Sequence, residues 1–260
     1  MKGIVNKLII PASMKAIAPY AFKDWKNLCE IEFSENGQLE RVGWNSFSFT
    51  GIRQITLPKS VKFVEEMAFY ECANLQKVDL RNSSINMISE SCFQYSGLEE
   101  VLFPPQLKTI GYFAFNHCLH LSGIILNMGI SLIGEGAFSC SALKKVRLPP
   151  TLKKLQMRTF WNCKDLRLAE FSEGLEEIGD ECFAKTALEK VILPMSIQRI
   201  GVSAFYACEK LAQVTSERYL NLKIVGDWAF GKTLLKPKDV FFPDSAQVSK
   251  TAFKKNKLVE

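Results

Sequence analysis

The sequence contains few of the residues that mark a catalytic or metal-binding protein. Only two histidines occur among its 260 residues, His117 and His120, on either side of Cys118. A tetrahedral metal site needs more ligands than these three, and no further cysteine or histidine lies in this loop. No glycine-rich phosphate loop and no nucleophile elbow is present. The sequence therefore predicts a protein that is not an enzyme and holds no metal and no cofactor, with both histidines in a solvated loop.

Long apolar runs are missing as well. No apolar stretch reaches the roughly 18 residues that a membrane-spanning helix needs, so we expect no insertion into a membrane. The first residues, MKGIVNKLII, lack the charged leader, long apolar core and cleavage site of a signal peptide. Localisation stays open: we expect a cytoplasmic protein if Met1 is the natural start, and a cell-surface or secreted protein if the chain belongs to a longer one.

The charge of the chain is neither strong nor clustered. Its 33 lysines and arginines exceed its 27 acidic residues by 6, and both kinds are scattered along the sequence. Binding to nucleic acid would need basic residues grouped on one face, so we expect no nucleic-acid partner. No low-complexity linker interrupts the sequence, and we interpret residues 1–260 as a single domain.

What the sequence does contain is a repeat. A phenylalanine recurs eleven times at intervals of 22 to 25 residues, with an aliphatic residue five positions before it and a small residue directly before it. Self-similarity at this period is typical of a solenoid, in which each unit buries its apolar face by stacking on its neighbours. We number the copies as rungs 1 to 11. Their phenylalanines are Phe22, Phe47, Phe69, Phe93, Phe115, Phe138, Phe160, Phe183, Phe205, Phe230 and Phe253.

The segment that opens each rung alternates apolar and polar residues, as Val146 does between Lys145 and Arg147. This alternation predicts a short strand with one buried face and one exposed face. One such strand in every rung of about 23 residues, all running the same way, predicts a parallel sheet with rungs about 4.8 Å apart. The expected fold is thus a repeat solenoid, mostly β, with short helical or irregular turns.

The rungs alternate between two types. Odd rungs end the strand with a proline, such as Pro58 or Pro194, and even rungs do not. Because proline cannot donate to a strand ladder, it suits the end of a strand. The true period of the sequence is therefore about 46 residues.

The cysteines follow this longer period. Two rungs, roughly 9–10 Å, separate successive members of the main set, which exceeds the reach of a disulfide. We therefore expect buried free thiols that pack as small apolar groups. The main set, three positions after the phenylalanine of odd rungs, is Cys72, Cys118, Cys163 and Cys208.

Both ends of the chain depart from the regular pattern. Rung 1 is already typical from Leu8 onwards, so no polar capping repeat precedes it, and we expect it to be covered by another subunit or by more of the same protein. Rung 10 carries two extra residues around 215–219, which predicts a surface loop. Residues 211–260 are the irregular part, and we interpret rung 11, with the basic segment 254–257, as a C-terminal cap.

The unit LxxVxLPxSVxxIGxxAFxxCxxL, seen at residues 52–75 and 188–211, resembles the BspA-like leucine-rich repeat family over nearly the whole chain. The resemblance is specific because the aliphatic spacing, the small residue and the cysteine recur together. It implies a right-handed parallel solenoid of the kind found in surface and secreted proteins of anaerobic bacteria and in protists, acting in adhesion and protein binding. It implies no catalytic residues. Family members at the surface carry export signals or anchors, and neither is recognisable in this sequence.

Residues that flank the central aliphatic position of each strand are expected to form two outward columns. An exposed apolar patch rimmed by charge is typical of a protein interface. The alternative is that its apolar members were selected as strand formers, or are covered by a neighbouring loop. We call this set the first-face patch: Leu102, Ile125, Lys145, Arg147, Leu168, Lys190 and Ile192.

Two hypotheses for function follow from these features. In the first, the chain is a non-catalytic protein-binding or adhesion module that uses its exposed sheet face, with a host or cell-surface protein among its partners. In the second, it is a cytoplasmic scaffold or homo-oligomer, assembled through its uncapped N-terminal rung.

Overall fold

The described residues of this computed structural model, 5–216 and 221–254, form a parallel β-solenoid, which confirms the predicted fold class. Short strands alternate with turns, and the sole helical element in this part of the chain is a 3-10 helix, Pro237–Asp239. The strands are β1 (Lys7–Ile10), β2 (Ala16–Ile17), β3 (Glu30–Phe33), β4 (Arg41–Val42), β5 (Gln54–Thr56), β6 (Phe63–Val64), β7 (Lys77–Asp79), β8 (Met87–Ile88), β9 (Glu100–Leu102), β10 (Thr109–Ile110), β11 (Leu132–Ile133), β12 (Lys145–Arg147), β13 (Lys154–Leu155), β14 (Leu168–Glu170), β15 (Glu177–Ile178), β16 (Lys190–Leu193), β17 (Arg199–Ile200), β18 (Gln213–Ser216), β19 (Ile224–Val225) and β20 (Gln247–Val248).

Most rungs contribute two strands, where the sequence predicted one. The first is the predicted alternating strand, and these strands make the first sheet face. The second holds two residues, of which the latter is the aliphatic residue five positions before the phenylalanine, as Ile110 is in β10. Second strands pair in parallel and in register, so that Thr109 lies beside Met87 on one side and Leu132 on the other. A two-residue strand is too short to show alternation, which is why the sequence pattern did not reveal it.

Every rung contains a strand, as predicted, but the predicted alternating strand of the first face is missing from two rungs. In rung 6, residues 121–127 form no strand, and Gly123 occupies an outward position where a side chain would otherwise pack. In rung 11, the 3-10 helix stands in the place of the first strand, and Pro237 supplies no backbone N–H for a ladder. The extra loop predicted in rung 10 and the basic end of rung 11 fall largely on residues 217–220 and 255–260, outside the described residues.

The phenylalanines form one stack through the solenoid. Successive rings lie 5.2 to 5.7 Å apart between centroids, at interplanar angles of 3 to 21°. The nine rings from Phe47 to Phe230 are at most 1% exposed, whereas Phe22 and Phe253 at the two ends are half-buried. Parallel, offset rings at this distance attract one another beyond the area that they bury.

Backbone hydrogen bonds join the phenylalanine turns of neighbouring rungs. In rung 5 the Phe115 N–H donates to the Ala137 carbonyl of rung 6 at 2.8 Å, and the residues two before and two after Phe115 donate to rung 6 in the same way. Those two flanking positions have left-handed backbone in rungs 1 to 10; in rung 7 they are Arg158 (φ 54°) and Asn162 (φ 57°). The left-handed residues rotate the peptide planes so that alternate N–H groups face the next rung.

The cysteines of the main set are buried, as predicted, and each is hydrogen-bonded. Cys208 is typical: its thiol donates to the Phe183 carbonyl at 3.0 Å and lies 3.1 Å from the Thr186 hydroxyl of the even rung before it. Equivalent thiol–hydroxyl contacts join Thr50 to Cys72, Ser96 to Cys118 and Ser141 to Cys163. The even-rung hydroxyl and the odd-rung thiol therefore form one pair per 46-residue unit, which gives the sequence alternation a physical basis.

We expect Phe115→Ala to lower the free energy of unfolding by about 3–5 kcal/mol, since it leaves a cavity between two stacked rings. The same substitution at half-buried Phe22 should cost clearly less. Urea unfolding followed by circular dichroism measures both. Equal losses at the two positions would show that the stack is not the main source of stability in the middle rungs.

Stability is expected to fall in alkaline solution because of the buried thiols. Burial raises the pKa of Cys72 and Cys208 to about 11 and that of Cys118 and Cys163 to about 12, from an ordinary 9.0. In the unfolded chain these thiols ionise near pH 9, so their contribution is fully present below that pH and is lost as the pH rises towards 11. Each thiol then contributes a slope of about 1.4 kcal/mol per pH unit. Urea midpoints between pH 8 and pH 11 measure this, with Cys208→Ala as a variant of shallower slope; parallel profiles would contradict it.

Candidate functional site

The first face presents two columns of outward side chains, as the sequence predicted. Strand pairing places Lys145 beside Leu168 and Arg147 beside Glu170, with the alternate residue of each strand buried. In the next pair, Lys190 lies beside Gln213.

The members of the first-face patch differ in their exposure. Ile125 is 85% exposed, Ile192 56% and Leu168 44%. The basic members, at 145, 147 and 190, are exposed as well. Leu102, by contrast, is half-buried beside Asp79. The apolar members of rungs 6, 8 and 9 are therefore on the surface and are not covered by a neighbouring loop of the described chain.

The patch is brought together by rungs 5 to 9, with a discontinuity at rung 6. Because residues 121–127 form no strand, Ile125 lies between β9 and β12 without belonging to either sheet segment. Nothing lies within 4 Å of the position where a side chain at Gly123 would begin. Ile125 is the most exposed large apolar residue of the described chain.

Ion pairing distinguishes the patch from the rest of the first face. At the N-terminal end, Lys7 lies 3.0 Å from Glu30 and 2.6 Å from Glu32, and their hydrogen bonds raise the pKa of Lys7. In rungs 4 and 5, Lys77 pairs with Glu100 at 2.6 Å.

In rungs 7 to 9 the same column reads lysine, leucine, lysine. Within the described residues, Lys145 and Lys190 make no ion pair, and Leu168 lies between them. In the neighbouring column, Arg147 reaches Glu170 only at 3.7 Å, with both side chains exposed. Lysines in the N-terminal part of the first face are thus paired with acidic neighbours. Lys145 and Lys190 have no such partner in the described part of the chain and lie beside apolar residues.

The sequence did not reveal a groove at the C-terminal end of this face. It lies between β18 and residues 238–242, where the 3-10 helix replaces a strand, and it has a volume of about 680 Å³. Phe241, 66% exposed, lies on its rim. Sequence periodicity placed Phe241 in an outward column, but not beside a groove, because the loss of the strand was not predicted.

The two histidines lie on a turn away from the first-face patch. His117 stacks on Tyr95 with centroids 4.7 Å apart, and its Nδ1 lies 2.8 Å from Asn116 Oδ1. Partial burial lowers the pKa of His117, while His120 is exposed. Across residues 5–216 and 221–254, no three histidine, cysteine or acidic residues are grouped as metal ligands would be. No helix in this part of the chain is long and apolar enough to cross a membrane.

Comparison with proteins of known structure yields several relatives of the same fold. A leucine-rich repeat protein from Bacteroides ovatus aligns with 94% of this chain and 83% of its own, at 20% identity and a TM-score of 0.53. One from Eubacterium ventriosum covers 93% and 87% at 15% identity, with a TM-score of 0.61. The pneumococcal vaccine antigen PcpA covers 94% and 73% at 20% identity, with a TM-score of 0.56. A search of curated protein sequences finds no match.

The family model described as the BspA type leucine rich repeat region matches six copies, over residues 2–122, 72–184 and 131–260. These ranges overlap and span almost the whole chain, in agreement with the repeat read from the sequence and with the stacked rungs of the structure. The chain belongs to the BspA-type leucine-rich repeat family.

Proposed function

We propose that the chain is a non-catalytic protein-binding module, acting in adhesion, and that it binds its partner through the first-face patch. The observation that carries the proposal is the pair of unneutralised lysines, Lys145 and Lys190, around exposed Leu168. Isolated apolar residues on a surface are ordinary, but here Ile125 and Ile192 extend the same surface along the solenoid.

The chemistry of the patch specifies the partner by class. Apolar side chains supply the contact that releases water, and the lysines favour a partner with acidic residues around an apolar centre. Association should therefore be faster at low ionic strength. The chain also shares its fold with a pneumococcal vaccine antigen. A role in adhesion would require the chain to be at the cell surface or secreted.

The test is a binding screen against an array of cell-surface ectodomains, followed by Ile125→Asp combined with Ile192→Asp. We expect the double variant to weaken each genuine interaction by at least about tenfold, since these two residues are the most exposed apolar members of the patch. Ile224→Asp on the second strands, where Ile224 is 44% exposed, serves as the matched control and should bind normally.

Both variants should melt within a few degrees of the unmodified chain, since the substituted side chains are exposed. The proposal fails if ectodomains bind the double variant and the unmodified chain equally well. It also fails if raising the salt concentration leaves the association rate unchanged.

A second candidate function, homo-oligomeric assembly, rests on rung 1. Its core residues Met14, Phe22 and Trp25 are only half-buried, whereas their counterparts in the middle rungs, such as Val61, Phe69 and Cys72, are fully buried. A further rung stacked on this surface would bury them, and a second copy of the chain offers one. Light scattering over a range of concentrations tests this: Trp25→Glu should abolish the self-association, and a monomer at all concentrations would contradict it.

A further inference from the structure

The second strands form another exposed face, and one of its columns has two different halves. The first residue of each second strand points outward. In rungs 7 to 9 these residues are charged and pair with one another: Lys154 lies 3.1 Å from Glu177, which lies 2.7 Å from Arg199. In rungs 3 to 6 the same column has no charged residue. We call this half the second-face strip: Phe63, Met87, Thr109 and Leu132.

The apolar members of the strip are on the surface. Phe63 is 51% exposed, Met87 47% and Leu132 40%, while Thr109 is half-buried between the last two. The charged half of the column provides an internal comparison, because the backbone there is the same. Ion-paired side chains, as in rungs 7 to 9, are sufficient for a face that contacts only water. The exposed apolar side chains of rungs 3 to 6 therefore need a different explanation.

A groove opens along the strip where the second sheet is interrupted. Strands β6 and β8 lie wholly in the described part of the chain, and no ladder bond joins them. At this junction the Ser89 hydroxyl donates to the Val64 carbonyl at 2.5 Å, and the Ser84 N–H donates to the Val61 carbonyl. The groove at this junction has a volume of about 520 Å³, and both Phe63 and Met87 line it.

The two long rims of the groove carry opposite charge. On one rim are Lys62 and Lys108, one position before the strip. Lys62 pairs with Glu40 at 3.0 Å, whereas Lys108 makes no ion pair within residues 5–216 and 221–254. On the other rim is Glu66, which lines the groove. Glu90 occupies the same position in the next rung, and both carboxylates are exposed and make no ion pair in the described chain.

The end of the groove nearest rung 2 is closed by Arg41. Its guanidinium lies 4.8 Å from the centre of the Phe63 ring and 2.5 Å from Glu65.

The dimensions of the strip select the conformation of what it binds. Three rung intervals separate Phe63 from Leu132, or about 14 Å. Three turns of an α-helix span about 16 Å and present one apolar side chain per rung at positions i, i+4, i+7 and i+11. Same-face residues of an extended strand would span about 20 Å over three intervals, which puts them out of step with the rungs.

We propose that the second-face strip is a docking groove for an amphipathic helix of a protein partner. The apolar stripe of the helix lies along the strip, acidic residues on one flank face Lys62 and Lys108, and basic residues on the other flank face Glu66 and Glu90. Since the rims differ in sign, the charges also fix the direction in which the helix runs. This site lies on a different face from the first-face patch and does not depend on the function proposed for it.

The test is a selection from a displayed library of stabilised single helices against the unmodified chain. Enriched helices should share an apolar stripe with acidic residues on one flank and basic residues on the other. Phe63→Lys combined with Met87→Lys, which places charge in the strip, should weaken the best helix by at least about tenfold. Ile224→Lys, in the same column at rung 10, is the matched control and should leave the affinity within about twofold.

Several outcomes would overturn the proposal. Helices that bind the double variant as well as the unmodified chain do not use the strip, and failure to enrich any helix excludes this class of occupant. A selected peptide that keeps its affinity after a central proline is introduced binds in another conformation. Sedimentation velocity tests whether a second copy of the chain occupies the groove. Self-association that the unmodified chain shows and the double variant lacks would identify that copy as the occupant.

Discussion

The hydrogen bonds between phenylalanine turns are the constraint on which the rest of the solenoid depends. Neither sheet is continuous along the chain: the first is interrupted after β3, β9 and β14, and the second after β6 and β11. The phenylalanine turns, in contrast, are bonded from rung 1, where Phe22 donates to Ser46, through to rung 10, where Phe230 donates to Ala252. Stacked rings follow the same path without interruption. The turns therefore set the spacing of the rungs, and the sheets follow it where their sequences allow.

This arrangement has a conformational cost that rungs 1 to 10 repeat. Two residues per turn adopt a left-handed backbone, at about 1–2 kcal/mol each for residues other than glycine. They are chemically diverse, for example Met67, Ser91 and Lys185. The bonds and ring contacts that the turn makes with its neighbours offset the cost, which no isolated rung could do. Such a segment is stable only as part of a stack.

The sequence predicted the features that depend on side-chain identity and missed those that depend on backbone geometry. Spacing of phenylalanine, aliphatic and small residues was sufficient for the rung, the parallel stacking and the buried thiols such as Cys118. The left-handed turns leave no glycine signal, because residues such as Arg158 and Asn162 occupy them. The outward columns of the first face were predictable from alternation, whereas the second-face strip was not, since its strands hold only two residues. The exposure of Ile125 goes with the loss of a strand over residues 121–127, which the local sequence pattern did not predict.

The direction of the turn hydrogen bonds gives the solenoid an electrical polarity. In every junction the N–H groups of the phenylalanine turn face the following rung and the carbonyls face the preceding one. Peptide dipoles in these turns therefore add along the axis, while those of the strands alternate and largely cancel. The end at rung 1 carries partial negative charge and the end at rung 11 partial positive charge, opposite in sense to an α-helix. A rung stacked on the solenoid is therefore attracted most strongly when its turn hydrogen bonds run in the same direction as those already present.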